Sequence, residues 1–119
     1  MGYRSQIASI IYDKKEVMDK FKADHADLIK ILDDEFNDGS LKYISSEDYD
    51  FIYLNGNDWK WYQTFKEVKA WEELMDLAEK ENLAVELVRI GDDYDDVEVD
   101  YRNDYQYYLS PIRTIEASF

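Results

Sequence analysis

The sequence predicts an α+β domain with two helices packed on one face of a mainly antiparallel sheet, in a ferredoxin-like (split βαβ) topology. Three observations predict it. The apparent elements follow the order strand, helix, strands, helix, strands. Two segments repeat apolar residues at spacings of three and four, the period of an amphipathic helix. The remaining apolar segments are short and rich in Ile, Val and Tyr, as strands are. A chain of 119 residues with 45% hydrophobic content is long enough for one core. We read residues 1–119 as a single acidic α+β domain, without internal repeat or linker.

Arg4 to Tyr12 reads as a strand because Ile7, Ile10 and Ile11 follow no helical period. Its near-continuous apolar character suits a central position. Asp13 is the expected N-cap of the first helix, with Glu16 at the capping-box position. Val17, Met18, Phe21, His25, Leu28, Ile29, Leu32 and Phe36 share one face of that helix. Asn37-Asp38-Gly39 ends it, with Gly39 suited to a left-handed conformation. Leu41–Ser45 and Tyr49–Leu54 follow as short strands. Asn55-Gly56 predicts a hairpin turn, and Trp59-Lys60-Trp61-Tyr62 its returning strand. Thr64 and Glu67 predict a capping box for the second helix. Phe65, Val68, Trp71, Leu74, Met75 and Ala78 form its buried stripe, and Glu81-Asn82 closes it. Ala84–Ile90 is the next strand, broken by Gly91. Val97–Tyr101 alternates as a half-exposed strand would. Tyr107–Leu109 and Ile112–Ala117 complete the chain as a strand pair or one strand bent at Pro111, which cannot donate to a ladder.

Composition excludes several functions. The chain has no Cys, so disulfide scaffolds, thiol catalysis and Cys-based metal centres are out. Lys and Arg number 14 against 28 Asp and Glu, a net charge of −14. Nucleic-acid affinity comes largely from cations meeting phosphates, so direct nucleic-acid binding is not expected. An anionic membrane surface is disfavoured for the same reason. No apolar run is long enough to span a bilayer, and nothing resembles a signal peptide, which points to the cytoplasm.

No Gly-rich phosphate loop, serine elbow or His–Glu metal helix occurs. His25 lies on an apolar helix face without an identifiable catalytic neighbour. The chain is therefore not expected to be an enzyme, and nothing in it calls for a cofactor or a catalytic metal.

The densest charge feature is Asp92-Asp93-Tyr94-Asp95-Asp96-Val97-Glu98-Val99-Asp100, with six acids in nine residues and no base. Its spacing fails the EF-hand rule, although a divalent-cation site is one alternative reading. Tyrosine is abundant at 11 residues and crowds the C-terminal third beside these acids. Tyr and Trp are typical interface anchors, and carboxylates complement Lys and Arg. The expected partner-binding set is Asp92, Asp93, Tyr94, Asp95, Asp96, Glu98, Asp100, Tyr101, Tyr105 and Trp59.

Met1-Gly2-Tyr3-Arg4-Ser5, the central Asn57-Asp58-Trp59-Lys60-Trp61-Tyr62, and Val88-Arg89-Ile90-Gly91-Asp92-Asp93-Tyr94-Asp95-Asp96-Val97-Glu98 occur in this order. On these motifs the chain resembles small acidic proteins encoded by bacteriophages and prophages. The resemblance implies expression in a bacterial host cytoplasm and carries no catalytic role. By analogy with other small acidic phage proteins, it implies an anti-defence or host-takeover inhibitor. The partner would be a basic host protein that handles nucleic acid, and the inhibitor could act as a DNA mimic, in anti-restriction or anti-CRISPR fashion. The alternatives are a structural or oligomer-forming phage protein, including a homodimer, and a divalent-metal-binding protein.

Overall fold

The nine residues of β1 (Ser5–Asp13) are almost all buried, because β1 is the middle strand of a five-stranded sheet covered on both faces. A computed structural model describes residues 5–62, 64–91, 96–103, 108–111 and 115–117. The other elements are α1 (Lys15–Asp24), α2 (Ala26–Glu35), β2 (Leu41–Ser45), β3 (Asp50–Trp59), α3 (Lys66–Lys80), β4 (Ala84–Gly91), β5 (Val97–Arg102), β6 (Leu109–Pro111) and β7 (Ile115–Ala117).

The strand order is β2-β3-β1-β4-β5, and every neighbouring pair is antiparallel. β1 and β2 therefore run parallel with β3 between them, and β3 and β4 run parallel with β1 between them. This is the split βαβ arrangement that the element order predicts, with β5 added at one edge. β6 and β7 form a separate antiparallel pair, the first of the two C-terminal arrangements expected around Pro111.

Alternation along each strand divides the core in two. Ile11, Ile52, Leu54, Val85 and Leu87 face the helices, where they meet Met18, Phe21, Leu32, Trp71, Leu74 and Ala78. Ala8, Ile10, Tyr12, Phe51 and Val88 face the other way and are covered by Leu109 and Tyr108. Tyr12, Phe51 and Tyr108 meet there edge-on or tilted, with centroids 5.0–5.3 Å apart.

Two buried polar groups tie these layers together. The Ser9 hydroxyl accepts from Trp71 Nε1 at 3.0 Å and donates to the Glu86 carbonyl at 2.7 Å. The Glu86 carboxylate is fully buried and points to the opposite face. There it accepts the backbone N–H groups of Tyr108 at 2.9 Å and Leu109 at 2.8 Å. A buried carboxylate needs such donors, and this one fixes the C-terminal segment to the sheet.

Three local features differ from the sequence reading. The first helix is interrupted at His25, whose φ of −119° and ψ of 34° leave the helical region. The hydrogen bonds His25 N–H to Phe21 O and Ile29 N–H to His25 O both persist, so the apolar period continues through the break. α1 packs on β1 and β3, whereas α2 packs on α3, and the break turns the chain from one to the other. The helix starts also differ. Lys14, not Asp13, is the N-cap of α1, and the Asp13 carboxylate instead accepts the Lys14 N–H at 2.6 Å. Phe65 rather than Thr64 precedes α3, without a side-chain cap bond.

Finally, Asn55-Gly56 is not a hairpin turn. β3 runs through it to Trp59. Ser5 pairs with Trp59 and Ile7 with Gly56, so β3 has one extra residue there, a β-bulge. The bulge puts residues 56 and 59 on the same face. The Trp59 ring then lies against Gly56, where a Cβ would collide with it. Glycine serves close approach at this point, not turn geometry.

Helix ends follow the expected chemistry more closely at their C-termini. Gly39 has φ of 94°, as its position predicted. Asn82 has φ of 65°; Leu83 N–H reaches Ala78 O and Asn82 N–H reaches Glu79 O, which is a Schellman motif.

Candidate functional site

The register of β5 on β4 decides where the predicted acidic surface goes. Leu87 pairs with Asp100, Arg89 with Glu98 and Val85 with Arg102, so these β5 residues lie on the helical face. Val97, Val99 and Tyr101 lie on the other face by alternation. Arg89 reaches back to the acids. Its Nη2 is 2.8 Å from Asp96 Oδ1 and its Nε is 3.1 Å from Glu98 Oε1. Arg102 forms a second cluster, with Asp76 at 2.8 Å, Asp100 at 2.9 Å and Glu79 at 3.5 Å. Hydrogen bonds to Asp96 and to Asp100, respectively, hold the two guanidinium groups above their already high ordinary pKa. Arg89, Glu98, Asp100, Arg102 and Asp76 line a groove of about 450 Å³ between α3 and β5, which Trp61 also lines.

Three of the predicted partner-binding acids, Asp96, Glu98 and Asp100, thus meet arginines of the same chain. Tyr101 sits on the opposite face, where its hydroxyl donates to Leu109 O at 2.7 Å. Asp92, Asp93, Tyr94, Asp95 and Tyr105 lie outside the described residues. Among the described residues, no group of three or more His, Asp or Glu side chains is arranged to hold a metal ion. His25 is half-buried, packs edge-on against Phe21 with centroids 4.7 Å apart, and meets Glu81 Oε2 at 2.6 Å.

Trp59, the remaining predicted contact, belongs to a different constellation. The C-terminus of α2 and the N-terminus of α3 meet beside the end of β3. Between them is a groove of about 280 Å³ lined by Glu35, Phe36, Asp38, Trp59, Lys60, Trp61, Phe65, Glu67 and Val68. Its wall is a ladder of rings. Phe36 and Trp59 stack at 5.3 Å and 24°, and Trp59 and Trp61 stack at 6.0 Å and 11°. Both tryptophans are half-buried, and Phe65 is exposed at the rim.

Three carboxylates, Glu35, Asp38 and Glu67, line the same groove. Glu35 ends α2, and its nearest cation is the Lys66 ammonium at 4.0 Å. Asp38 accepts from the Ser40 hydroxyl at 2.6 Å and the Ser40 N–H at 3.1 Å. These bonds hold its carboxyl below the usual range, so it is anionic at neutral pH. Glu67 lies in the first turn of α3, where the helix dipole favours an anion. Among the described residues, Lys60 is the cation that lines the groove.

Sequence reasoning anticipated Trp59 but not Glu35, Asp38, Phe65 or Glu67 as its neighbours. The available signal was two tryptophans one residue apart between a strand and a helix, beside the acidic end of the preceding helix. No protein-family model, curated protein or solved structure matches this chain.

Proposed function

We propose that this chain is a non-enzymatic accessory protein that binds a basic, nucleic-acid-handling protein of a bacterial host. In that role it is an anti-defence or host-takeover inhibitor. The observation that carries the reading is the groove between α2 and α3, where a half-buried aromatic wall stands among the carboxylates of Glu35, Asp38 and Glu67. Aromatic anchors inside a charged rim are the usual composition of a protein-binding hot spot. The net charge of −14 favours a cationic partner and speeds its encounter. Because Asp96, Glu98 and Asp100 are engaged with Arg89 and Arg102, the groove supports the reading better than β5 does.

The test is affinity capture from bacterial lysate with the wild-type chain and with a Trp61→Ala/Glu35→Gln/Glu67→Gln variant. The expected outcome is a basic nucleic-acid-binding protein that the wild type retains, that elutes as salt rises above roughly 0.2 M, and that the variant retains poorly. Identical retention by both chains would remove the groove from the account. Absence of any basic protein would remove the account itself.

A second reading, a homodimer, has its own observation. Val97 and Val99 are 43% and 41% exposed on β5, which ends the strand order. An edge strand with exposed valines is a template for pairing with another copy. Light scattering at increasing concentration checks it: a Val99→Lys variant that stays monomeric beside a dimeric wild type would support it, and a monomeric wild type would remove it.

A further inference from the structure

We infer that the groove between α2 and α3 takes the guanidinium group of an arginine from the partner protein, laid flat against Trp61 and paired with Glu35 and Glu67. This rests on the binding reading above and names the chemistry of its site. Phe36, Trp59 and Trp61 stack face to face with Trp59 in the middle, so the flat π-surface left for a ligand is the outer face of the end ring, Trp61, and there is no cage of crossed rings. A flat cation that stacks matches such a surface better than a compact ammonium does.

The charges fit the same occupant. Glu35 comes from the end of α2 and Glu67 from the start of α3, and both line the groove with Trp61. A guanidinium presents donors on several edges in one plane and can meet two carboxylates while its face remains on a ring. Glu35 has room for this partner, because Lys66 stands at 4.0 Å, beyond hydrogen-bonding distance, and is itself mostly exposed. Asp38 is already turned to Ser40 and supplies background charge. Lys60 and Lys66 oppose a cation, but both side chains are exposed and can swing toward water, and the three carboxylates outnumber them. The volume of about 280 Å³ sits near the lower edge of small-molecule sites. It suits one extended side chain.

The experiment titrates the isotopically labelled full chain with Nα-acetyl-arginine amide and, separately, with Nα-acetyl-lysine amide. Heteronuclear NMR reads the three indole N–H resonances. Trp59 and Trp61 are expected to shift. Trp71, buried and bonded to Ser9, is expected to stay in place. Arginine should bind about fivefold more tightly than lysine. A Glu35→Gln/Glu67→Gln variant, altered only at solvent-accessible positions, should bind arginine about five- to tenfold more weakly. Equal responses to arginine and lysine, or shifts that avoid Trp59 and Trp61, would overturn the inference. If neither probe moves the indoles while the chain still captures a basic protein in a salt-sensitive way, the arginine site falls and the broader reading survives. Arginine-selective shifts in a chain that captures no basic protein would leave the site standing and defeat the broader reading.

Discussion

Replacing Glu86 with Gln tests how the two faces of the sheet are joined. The side chain has no solvent exposure, and its two oxygens accept the N–H groups of Tyr108 and Leu109 at 2.9 and 2.8 Å. Glutamine keeps the shape but offers one acceptor where there were two. One charge-assisted bond, worth about 1.5–3 kcal/mol, is lost, and one buried backbone N–H then faces an NH2 donor. Against this, a neutral side chain removes the desolvation cost of a buried anion. The expected net loss is about 2–4 kcal/mol. With a urea m-value of about 2 kcal/mol/M, the unfolding midpoint should fall by roughly 1–2 M. Hydrogen exchange locates the effect. The amides of Tyr108 and Leu109 should lose protection, whereas those of Ile10 and Ile52 in the middle of the sheet should change only with global stability. A midpoint within about 0.3 M of wild type, with both amides still protected, would refute the reasoning.

Gly56→Ala places a methyl group inside the space of the Trp59 ring and should cost about 1–3 kcal/mol, as overpacking does. Near-ultraviolet circular dichroism should report loss of the Trp59–Trp61 stack, and an unchanged spectrum would contradict the close approach. Ser9→Ala leaves Trp71 Nε1 and the Glu86 carbonyl without the hydroxyl that serves both, with an expected cost of about 1–3 kcal/mol in urea unfolding. Tyr43 predicts alkaline lability. Partial burial, then its bond to Asp33, raise the folded-state phenol pKa above its ordinary value, and burial does the same for Tyr53. A raised pKa contributes stability that is fully present below the unfolded value, about 10, and is lost as pH climbs past it. The stability difference between pH 9 and pH 11, read by chemical unfolding, should therefore shrink in Tyr43→Phe; equal slopes would exclude the tyrosine as a cause.

The α+β class and the central place of β1 were readable because alternation and helical period act within single segments, whereas the full strand order was not. β1 and β4 each carry apolar side chains on both faces, and a two-sided sheet needs such strands at its centre. The break at His25 was not readable. Both flanking hydrogen bonds persist across it, so the spacing of apolar residues never changes. The bulge at Gly56 was misread for a different reason. Asn-Gly favours a turn locally, but here the strand continues, with the ring of Trp59, three residues on, lying on Gly56 and stacking against Phe36. Phe36 is far from Trp59 in sequence, so no local pattern could announce the pair.

The same limit applies to the charge. Along the sequence, Asp92–Asp100 stands out because no base interrupts it. In the fold, the antiparallel register of β4 and β5 sets Arg89 beside Glu98, and Arg102 comes within reach of Asp76 on α3. The described acids of that run, Asp96, Glu98 and Asp100, thus alternate with arginines in space along one side of β5 and the helix above it. Each of the two arginines is about one-fifth exposed and is held by at least two carboxylates at once, so these acids already have a cation at hydrogen-bonding distance or close to it. Their carboxylates are consequently poor ligands for an outside cation, since a partner would have to displace a bound guanidinium. Glu35 and Glu67 lie beside an open aromatic wall, and Glu35 has only a distant ammonium at 4.0 Å. What singles out a binding carboxylate in this chain is therefore not how many acids precede or follow it. It is whether the fold has already given that acid a cation.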